Sequence, residues 1–120
     1  MSYICYTLRS LNPKYCDRTY TGITNNSERR LRQHNGLLAH GAASVRPIRP
    51  VTYFIKITGL TKNQALSIER TIHNMKKKNK IYGGLVGSLL CTSYFIDNQI
   101  IKPDDVIYYN MADQKINLNL

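Results

Sequence analysis

Residues 3–8 are Tyr3-Ile4-Cys5-Tyr6-Thr7-Leu8, and residues 18–24 are Arg18-Thr19-Tyr20-Thr21-Gly22-Ile23-Thr24. Both segments are rich in β-branched and aromatic side chains, which are typical of strands. Between them, Asn12-Pro13 is a turn signal. The two segments are therefore predicted to pair as a β-hairpin with a long loop at residues 9–17. Because side chains alternate along a strand, Tyr6 and Tyr20 can lie on one face of this hairpin.

A short basic helix is predicted directly after the hairpin. Residues 25–27, Asn-Asn-Ser, supply N-cap side chains, and Glu28 suits a first turn. Gly36 supplies a stop. Within this helix Arg30 and His34 are four residues apart, so their side chains project from one side.

A third strand and a second helix are predicted beyond residues 36–50, whose Gly, Ala, Arg and Pro content indicates an exposed loop. Residues 51–57 are mostly apolar, as in a buried strand. Thr61 and Gln64 fit the capping-box pattern that starts a helix. The apolar stripe of this helix consists of Ala65, Ile68, Ile72 and Met75. Glu69 lies on the flank of the stripe, partly shielded from water.

Residues 1–80 are predicted to form the core of a single domain, with residues 81–120 as a C-terminal extension packed on it. The chain of 120 residues leaves no room for a second core of ordinary size. Glycines interrupt the pattern of the extension, and residues 106–111 fit either a strand or a helix. The apolar content of the extension is nevertheless too high for a disordered appendage.

The charge distribution indicates a polyanionic partner. The chain has 17 Lys and Arg against 7 Asp and Glu, a formal net charge of +10. Residues 1–80 carry fifteen basic and three acidic side chains, whereas residues 81–120 carry two and four. Such a positive field attracts phosphate backbones without sequence preference. Nucleic acid is favoured over a membrane surface, because the sequence shows no basic amphipathic helix with an aromatic face.

The three cysteines exclude two classes of small protein. Cys5, Cys16 and Cys91 are odd in number and widely spaced, with no CxxC pair. A disulfide framework and a structural zinc site are therefore not expected. Residues 1–20 lack the pattern of a signal peptide, so we expect an intracellular protein in a reducing compartment, the nucleus or cytoplasm, with no membrane anchor.

The ordered set of these motifs resembles the GIY-YIG nuclease family over roughly residues 3–80. Ile4-Cys5-Tyr6 stands where the family has Gly-Ile-Tyr, with the glycine replaced. Tyr20-Thr21-Gly22 matches the second half of the family name. Residues 28–36 look like the family helix that carries an Arg and a His.

The resemblance implies an α+β fold, with a small three-stranded antiparallel sheet flanked by helices, and a phosphodiesterase that uses one divalent cation, Mg²⁺ or Mn²⁺. Glu69 falls where the family has a metal-binding glutamate on a helix. Tyr20 would accept a proton from the attacking water, alone or through His34, with Tyr6 orienting it. Arg30 would bind the scissile phosphate as its charge builds. The implied catalytic residues are thus Tyr6, Tyr20, Arg30, His34 and Glu69.

Within the family, residues 11–15 and 30–36 resemble the catalytic subunit of the eukaryotic structure-selective nuclease that cuts branched DNA. The resemblance therefore implies a preference for branched or distorted DNA, with a role in repair or recombination. That subunit carries a C-terminal RING finger, which has no counterpart in this sequence. A scaffold partner and a homodimer both stay open.

The candidate DNA-binding residues are the other basic side chains of the first helix, the following loop and the end of the second helix. They are Arg29, Arg32, His40, Arg46, Arg49, Lys76, Lys77 and Lys78. Taken without the resemblance, His34 reads as a cation at a helix C-terminus and Glu69 as an ion-pair partner of His73. A noncatalytic nucleic-acid-binding module and an RNA-binding protein are the alternative functions, because charge does not distinguish DNA from RNA.

Overall fold

Four antiparallel strands form one sheet in this computed structural model, which describes residues 2–109. The strands are β1 (Tyr3–Ser10), β2 (Thr19–Thr24), β3 (Val51–Leu60) and β4 (Val106–Tyr108), in the spatial order β2-β1-β3-β4. The helices are α1 (Ser27–His34), α2 (Lys62–Lys78) and α3 (Gly84–Asp97). The predicted α+β fold is confirmed, but the predicted sheet of three strands gains β4 at its edge, beside β3. Residues 110–111, the rest of the segment left open between strand and helix, lie outside the described residues.

Local signals set the two helix starts that lead to the site. The Asn26 side chain accepts a hydrogen bond from the Arg29 backbone N–H and caps α1. At the start of α2, the Thr61 hydroxyl accepts from the Gln64 backbone N–H at 3.1 Å, and the Gln64 side chain accepts from the Thr61 N–H at 2.9 Å. The predicted capping box is therefore confirmed.

The two faces of the sheet are covered by different elements. Cys5, on one face of β1, lies in a core with Ile57, Ala65 and Phe95, from β3, α2 and α3. Tyr6, on the opposite face of β1, packs in a second core on the α1 side. Alternation along β1 thus separates an apolar core, which α2 covers, from the face that carries Tyr6.

Two segments differ from the sequence prediction. Arg9 and Ser10 extend β1 into what was predicted as loop. The segment at residues 36–50 is also not wholly exposed, because Val45 and Ile48 are buried against the α1 side of the sheet. The Ser10 hydroxyl donates to the Ile48 carbonyl at 2.6 Å, which fastens this segment to β1.

The region beyond residue 80 contributes to the core under α2. Cys91 and Phe95 of α3 are buried there, and so is Ile101. No helix among residues 2–109 is long and apolar enough to cross a membrane. All three cysteines are free thiols, with Cys5 and Cys91 buried and Cys16 exposed.

Candidate active site

Tyr6 is the centre of a cluster of aromatic side chains on the α1 face of the sheet. Its ring centroid lies 6.4 Å from that of Tyr20, 5.9 Å from His34 and 5.4 Å from Tyr53. In the β1–β2 pair Tyr6 faces Gly22, and Leu8 faces Tyr20, which places Tyr6 and Tyr20 on one face as predicted.

His34, the last residue of α1, is fully buried behind Tyr6. The distance between His34 Nε2 and Tyr6 Oη is 2.7 Å. The Ala42 backbone N–H donates to His34 Nδ1 at 3.4 Å. Because Nδ1 is an acceptor, the neutral ring carries its proton on Nε2 and donates it to the Tyr6 oxygen.

His34 is neutral at physiological pH. Burial lowers the pKa of His34 to about 4, and the nearby positive charges of Arg30 and Arg49 act in the same direction. The interpretation of His34 as a cation at the helix C-terminus is therefore wrong. The physical reason is that the ring points into the sheet, where a charged imidazolium would lose its hydration.

Arg30 is held beside the Tyr6 hydroxyl by three hydrogen bonds. Its Nε–H donates to Tyr6 Oη at 3.4 Å, and its Nη1 donates to Gln33 Oε1 and to the His40 carbonyl, each at 2.9 Å. Arg30 also interacts with Tyr20. The Tyr6 oxygen thus accepts from both His34 and Arg30, which fills its two lone pairs and leaves the phenol proton free to be donated elsewhere.

Tyr6 stays protonated in this environment. Burial raises the pKa of Tyr6 well above its ordinary value. The hydrogen bond and charge of Arg30 oppose this shift, whereas Tyr20 and Glu69 add to it. A phenol of this kind serves as a hydrogen-bond donor rather than as a base.

Glu69 lies on α2 and is half-buried. Its negative charge helps to raise the pKa values of Tyr6 and Cys5. Its carboxylate has no hydrogen-bond or ion-pair partner within residues 2–109. The alternative interpretation as an ion pair with His73 is therefore wrong. Its carboxylate oxygens are free to accept a ligand from outside the chain.

The donor set around Glu69 fits one class of metal ion. Within the described part of the chain, no group of three or more His, Cys, Asp or Glu side chains could hold a metal. Zinc, which needs several protein ligands, does not suit a lone carboxylate. Mg²⁺ does suit it, because this ion keeps several waters and is bound through one or two carboxylates and substrate phosphates.

The profile of the GIY-YIG catalytic domain matches residues 2–82, more than half of the chain. The chain belongs to the GIY-YIG family. Every member of the predicted catalytic set, from Tyr6 to Glu69, lies within the matched residues of this GIY-YIG catalytic domain.

Individual relatives match shorter stretches. The chain is 46% identical over 68 residues to "Structure-specific endonuclease subunit SLX1" of Malassezia globosa, which covers 56% of this chain and 15% of that protein. It is 35% identical over 74 residues to the protein of the same name from Schizosaccharomyces pombe, covering 61% and 27%. It is 38% identical over 85 residues to "Uncharacterized protein L300" of Acanthamoeba polyphaga mimivirus, covering 67% and 48%. The chain thus spans less than half the length of each of these relatives.

The basic residues of this GIY-YIG domain divide into exposed and structural ones. Five of the predicted DNA-binding cations are exposed, namely Arg29, Arg32, Arg46, Lys77 and Lys78. His40 is exposed as well, and its backbone carbonyl holds Arg30. These six side chains stay candidates for phosphate contacts.

Arg49 and Lys76 are not the free surface cations that the sequence predicted. Arg49 Nε donates to the His34 carbonyl at the end of α1. Its guanidinium also packs on Gly36, where a Cβ would stand 2.7 Å from Nη1. Lys76 Nζ donates to Ser88 Oγ of α3 at 2.8 Å, and burial lowers the pKa of Lys76. Both cations fasten elements together.

Three residues that support the site escaped the sequence prediction. Ala42 and Gln33 hold His34 and Arg30. Tyr53 packs edge-on against Tyr6, and its hydroxyl donates to the Ser27 carbonyl at 2.6 Å, which ties α1 to β3. The sequence could have indicated Gln33, because it lies three residues after Arg30 on the helix. It gave no indication of Ala42, which acts through its backbone N–H, or of Tyr53, which lies on a distant strand.

Proposed function

We propose that this GIY-YIG domain is a metal-dependent DNA endonuclease that prefers branched or distorted DNA. The observation that carries the proposal is the hydrogen-bonded group of Tyr6, His34 and Arg30, together with the Glu69 carboxylate, which has no partner in the described part of the chain and lies close enough to influence Tyr6. The fifteen basic residues among residues 1–80 supply the attraction for the phosphate backbone.

Each residue takes one role in the proposed hydrolysis of a phosphodiester bond. Arg30, already oriented by Gln33 and the His40 carbonyl, binds the scissile phosphate as negative charge develops. Tyr6 donates its free phenol proton in a hydrogen bond that orients the water or the phosphate. Glu69 would hold the Mg²⁺ or Mn²⁺ ion, which when bound supplies Lewis-acid stabilisation of the leaving oxygen.

Tyr20 accepts the proton of the attacking water directly in this mechanism, which requires its oxygen to react as the phenolate and leaves Tyr20 as the neutral phenol. A route through His34 is disfavoured, because His34 Nε2 already carries a proton and Nδ1 is engaged by Ala42. Protonation of His34 would also create a buried cation at a position where burial and Arg30 lower the pKa to about 4. His34 therefore acts by positioning Tyr6.

We further propose a protein partner or a second copy of the chain. Two of the relatives are named as subunits of a structure-specific endonuclease, which implies assembly for those proteins. The preference for branched DNA proposed here rests on the description of those relatives as structure-specific.

A cleavage assay with several substrates tests the proposal. Purified protein is incubated with labelled flap, junction, duplex and single-stranded DNA, and with a flap made of RNA, each in Mg²⁺ or in EDTA. We expect flap or junction DNA to be cut about ten-fold or more faster than duplex, a difference of about 1.4 kcal/mol in activation free energy. EDTA should abolish the cleavage.

Three results would contradict parts of the proposal. Cleavage that persists in EDTA excludes the metal. Cleavage confined to RNA would show that the substrate is RNA and not DNA. Binding without cleavage of any substrate favours the noncatalytic nucleic-acid-binding module.

A further inference from the structure

An open groove of about 520 Å³ lies between α1 and the β3–β4 edge of the sheet. Its walls include Leu31 and Arg32 of α1, Tyr53 and Lys56 of β3, and Tyr109 just after β4. Arg32 is two positions from Arg30, which corresponds to roughly 200° around a helix with 3.6 residues per turn. The groove is therefore on the side of α1 away from the catalytic candidate Arg30.

The groove combines an aromatic wall with a cation. Lys56 Nζ lies 4.3 Å from the ring centroid of Tyr53 and 5.4 Å from that of Tyr109. The two rings are 6.4 Å apart and inclined by 34°. No carboxylate within residues 2–109 forms an ion pair with Lys56. Its ammonium lies over the faces of the two rings, so an anion from outside can still pair with it.

The groove is connected to the candidate active site through β3. Lys56 is the register partner of Tyr6 in the β1–β3 pair, and such partners have Cα atoms about 5 Å apart. The Tyr53 ring meets Lys56 on the groove side and packs edge-on against Tyr6, with an interplanar angle of 84°. A polynucleotide at the site can thus reach the groove with a neighbouring nucleotide.

We infer that the groove binds one unpaired nucleotide of a single-stranded arm, with the base against Tyr109 and Leu31 and the phosphate at Lys56 and Arg32. Single-strand sites pair aromatic side chains with basic groups in this way, because every base has a face that can stack. A cavity of this size suits a small molecule or one nucleotide and is too small for a duplex. The exposed carboxylate of Glu28 also lines the groove, where it can accept a hydrogen bond from a base amino group and would repel a second phosphate.

The inference rests on the proposed function only in assuming that the bound nucleic acid is DNA. It explains how a structure-selective nuclease could distinguish a branched substrate from a plain duplex. Only a branch or an end offers an unpaired nucleotide to a groove beside the site.

The test compares two groove variants with a matched control. Lys56→Met removes the ammonium but keeps an unbranched apolar chain over the rings, and Tyr109→Leu removes the stacking face. The control Lys14→Met removes a different ammonium that also lies over a tyrosine ring, 5.6 Å from Tyr15, in the exposed turn after β1. Affinities for a short labelled oligothymidylate and a blunt duplex are measured by fluorescence anisotropy in EDTA, after thermal melts have confirmed folding.

We expect Tyr109→Leu to weaken oligothymidylate binding by about five-fold or more, the effect of losing one stacked base. We expect Lys56→Met to weaken it to a similar extent by removing a phosphate contact. Tyr109→Leu should leave duplex affinity within about two-fold, and Lys14→Met should affect both ligands alike. Equal losses on the two ligands for Tyr109→Leu, or the same effect from Lys56→Met and Lys14→Met, would overturn the inference. If Tyr109→Leu does not fold, the comparison of the two lysine variants decides alone.

The outcome is separable from that of the proposed function, because binding in EDTA needs no cleavage. A wild-type protein that cuts no DNA but loses oligothymidylate affinity in both groove variants supports the inference and overturns the activity. A protein that cuts flap DNA while all three variants bind oligothymidylate like the wild type overturns the inference alone.

Discussion

Gly22 faces Tyr6 directly across the β1–β2 pair, and the lack of a side chain there makes room for the Tyr6 hydroxyl. A Cβ at Gly22 would stand 2.6 Å from Tyr6 Oη and 2.9 Å from Cζ. The backbone of Gly22 is not in the left-handed region, so the constraint is the space and not the dihedral angle. The glycine of the Tyr20-Thr21-Gly22 motif is therefore a requirement of the site.

The contact between Gly22 and Tyr6 predicts that substitutions at these two positions have non-additive effects on the free energy of unfolding. Gly22→Ala should cost about 1–3 kcal/mol through overpacking. Tyr6→Phe should cost about 1–3 kcal/mol, because the buried His34 N–H loses its acceptor. The double variant should be less destabilised than the sum of the two by about 0.5 kcal/mol or more, because removal of Oη removes the nearest clash. Urea unfolding of the four proteins measures this, and strict additivity would contradict it.

The neutrality of His34 predicts a pH dependence of stability. The folded pKa of about 4 lies below the ordinary value of 6.5, so the unfolded chain binds more protons between these values. The stability contributed by neutral His34 is thus fully present above about pH 6.5 and is lost as the pH falls toward 4, by up to about 3 kcal/mol. Urea unfolding from about pH 7.5 to about pH 4.5 should show this loss in the wild type and a shallower one in His34→Gln. Parallel curves for the two proteins, which share their carboxylates, would show that His34 does not titrate in this way.

Short-range sequence signals predicted how α1 begins and that Arg30 and His34 lie on one side of it. The contacts that the sequence did not predict involve residues distant in the chain. The N-cap of α1 and the spacing of Arg30 and His34 act over a few residues, so both are visible in the sequence. By contrast, α3 begins at Gly84, and its first turn is capped by a residue that is distant in the sequence. The Leu85 N–H donates to Asp17 Oδ1 at 2.9 Å. No pattern within residues 83–97 could show that partner.

The same reasoning explains the two cations that make hydrogen bonds within the fold. A basic residue in a Gly- and Pro-rich loop, or in a run of lysines, is ordinarily solvated. Arg49 and Lys76 are engaged because the His34 carbonyl and the Ser88 hydroxyl reach them from other elements. Whether a charged side chain binds a ligand or fastens the fold is decided by tertiary contacts that composition does not encode.

Arg49 and Arg46 should consequently behave differently when truncated. Arg49→Ala leaves the His34 carbonyl without its donor, so it should destabilise the fold by about 1–3 kcal/mol. Arg46 is exposed, and Arg46→Ala should leave the melting temperature nearly unchanged. Arg46→Ala should instead weaken DNA binding and lower the slope of log affinity against log salt by about 0.9. Melting and salt titrations of both variants provide the test, and the reverse pattern would refute the assignment.

Arg9 offers a test of buried charge away from the site. It is 4% exposed, its Nε and Nη1 have no hydrogen-bond partner among residues 2–109, and burial lowers its pKa. An unsatisfied buried group of this kind typically costs about 1–3 kcal/mol. Arg9→Met, which keeps an unbranched side chain, should therefore stabilise the protein by a similar amount in urea unfolding. A destabilised variant would mean that the guanidinium is satisfied in solution, for example by water.

Glu69→Gln separates the proposed metal role from every structural role of this side chain. The substitution keeps the size but removes the anionic oxygens that hold a hard cation. Because the carboxylate makes no hydrogen bond or ion pair within residues 2–109, the fold should survive with an unchanged melting temperature. DNA affinity should be retained or increased, since a negative charge is lost near a basic surface. Single-turnover cleavage should fall by about 10³-fold or more, because the metal's stabilisation of the leaving oxygen is worth several kcal/mol.

Asp104→Asn is the matched control for Glu69→Gln, because it removes one exposed carboxylate from the turn before β4. It should cut DNA at the wild-type rate, which shows that the loss in Glu69→Gln is not a general effect of net charge. Cleavage by Glu69→Gln at nearly the wild-type rate would mean that the proposed metal is held by another carboxylate or is not needed. Loss of folding in Glu69→Gln would instead assign the residue to the structure of α2, whereas intact binding with abolished cleavage places it at the reacting phosphate.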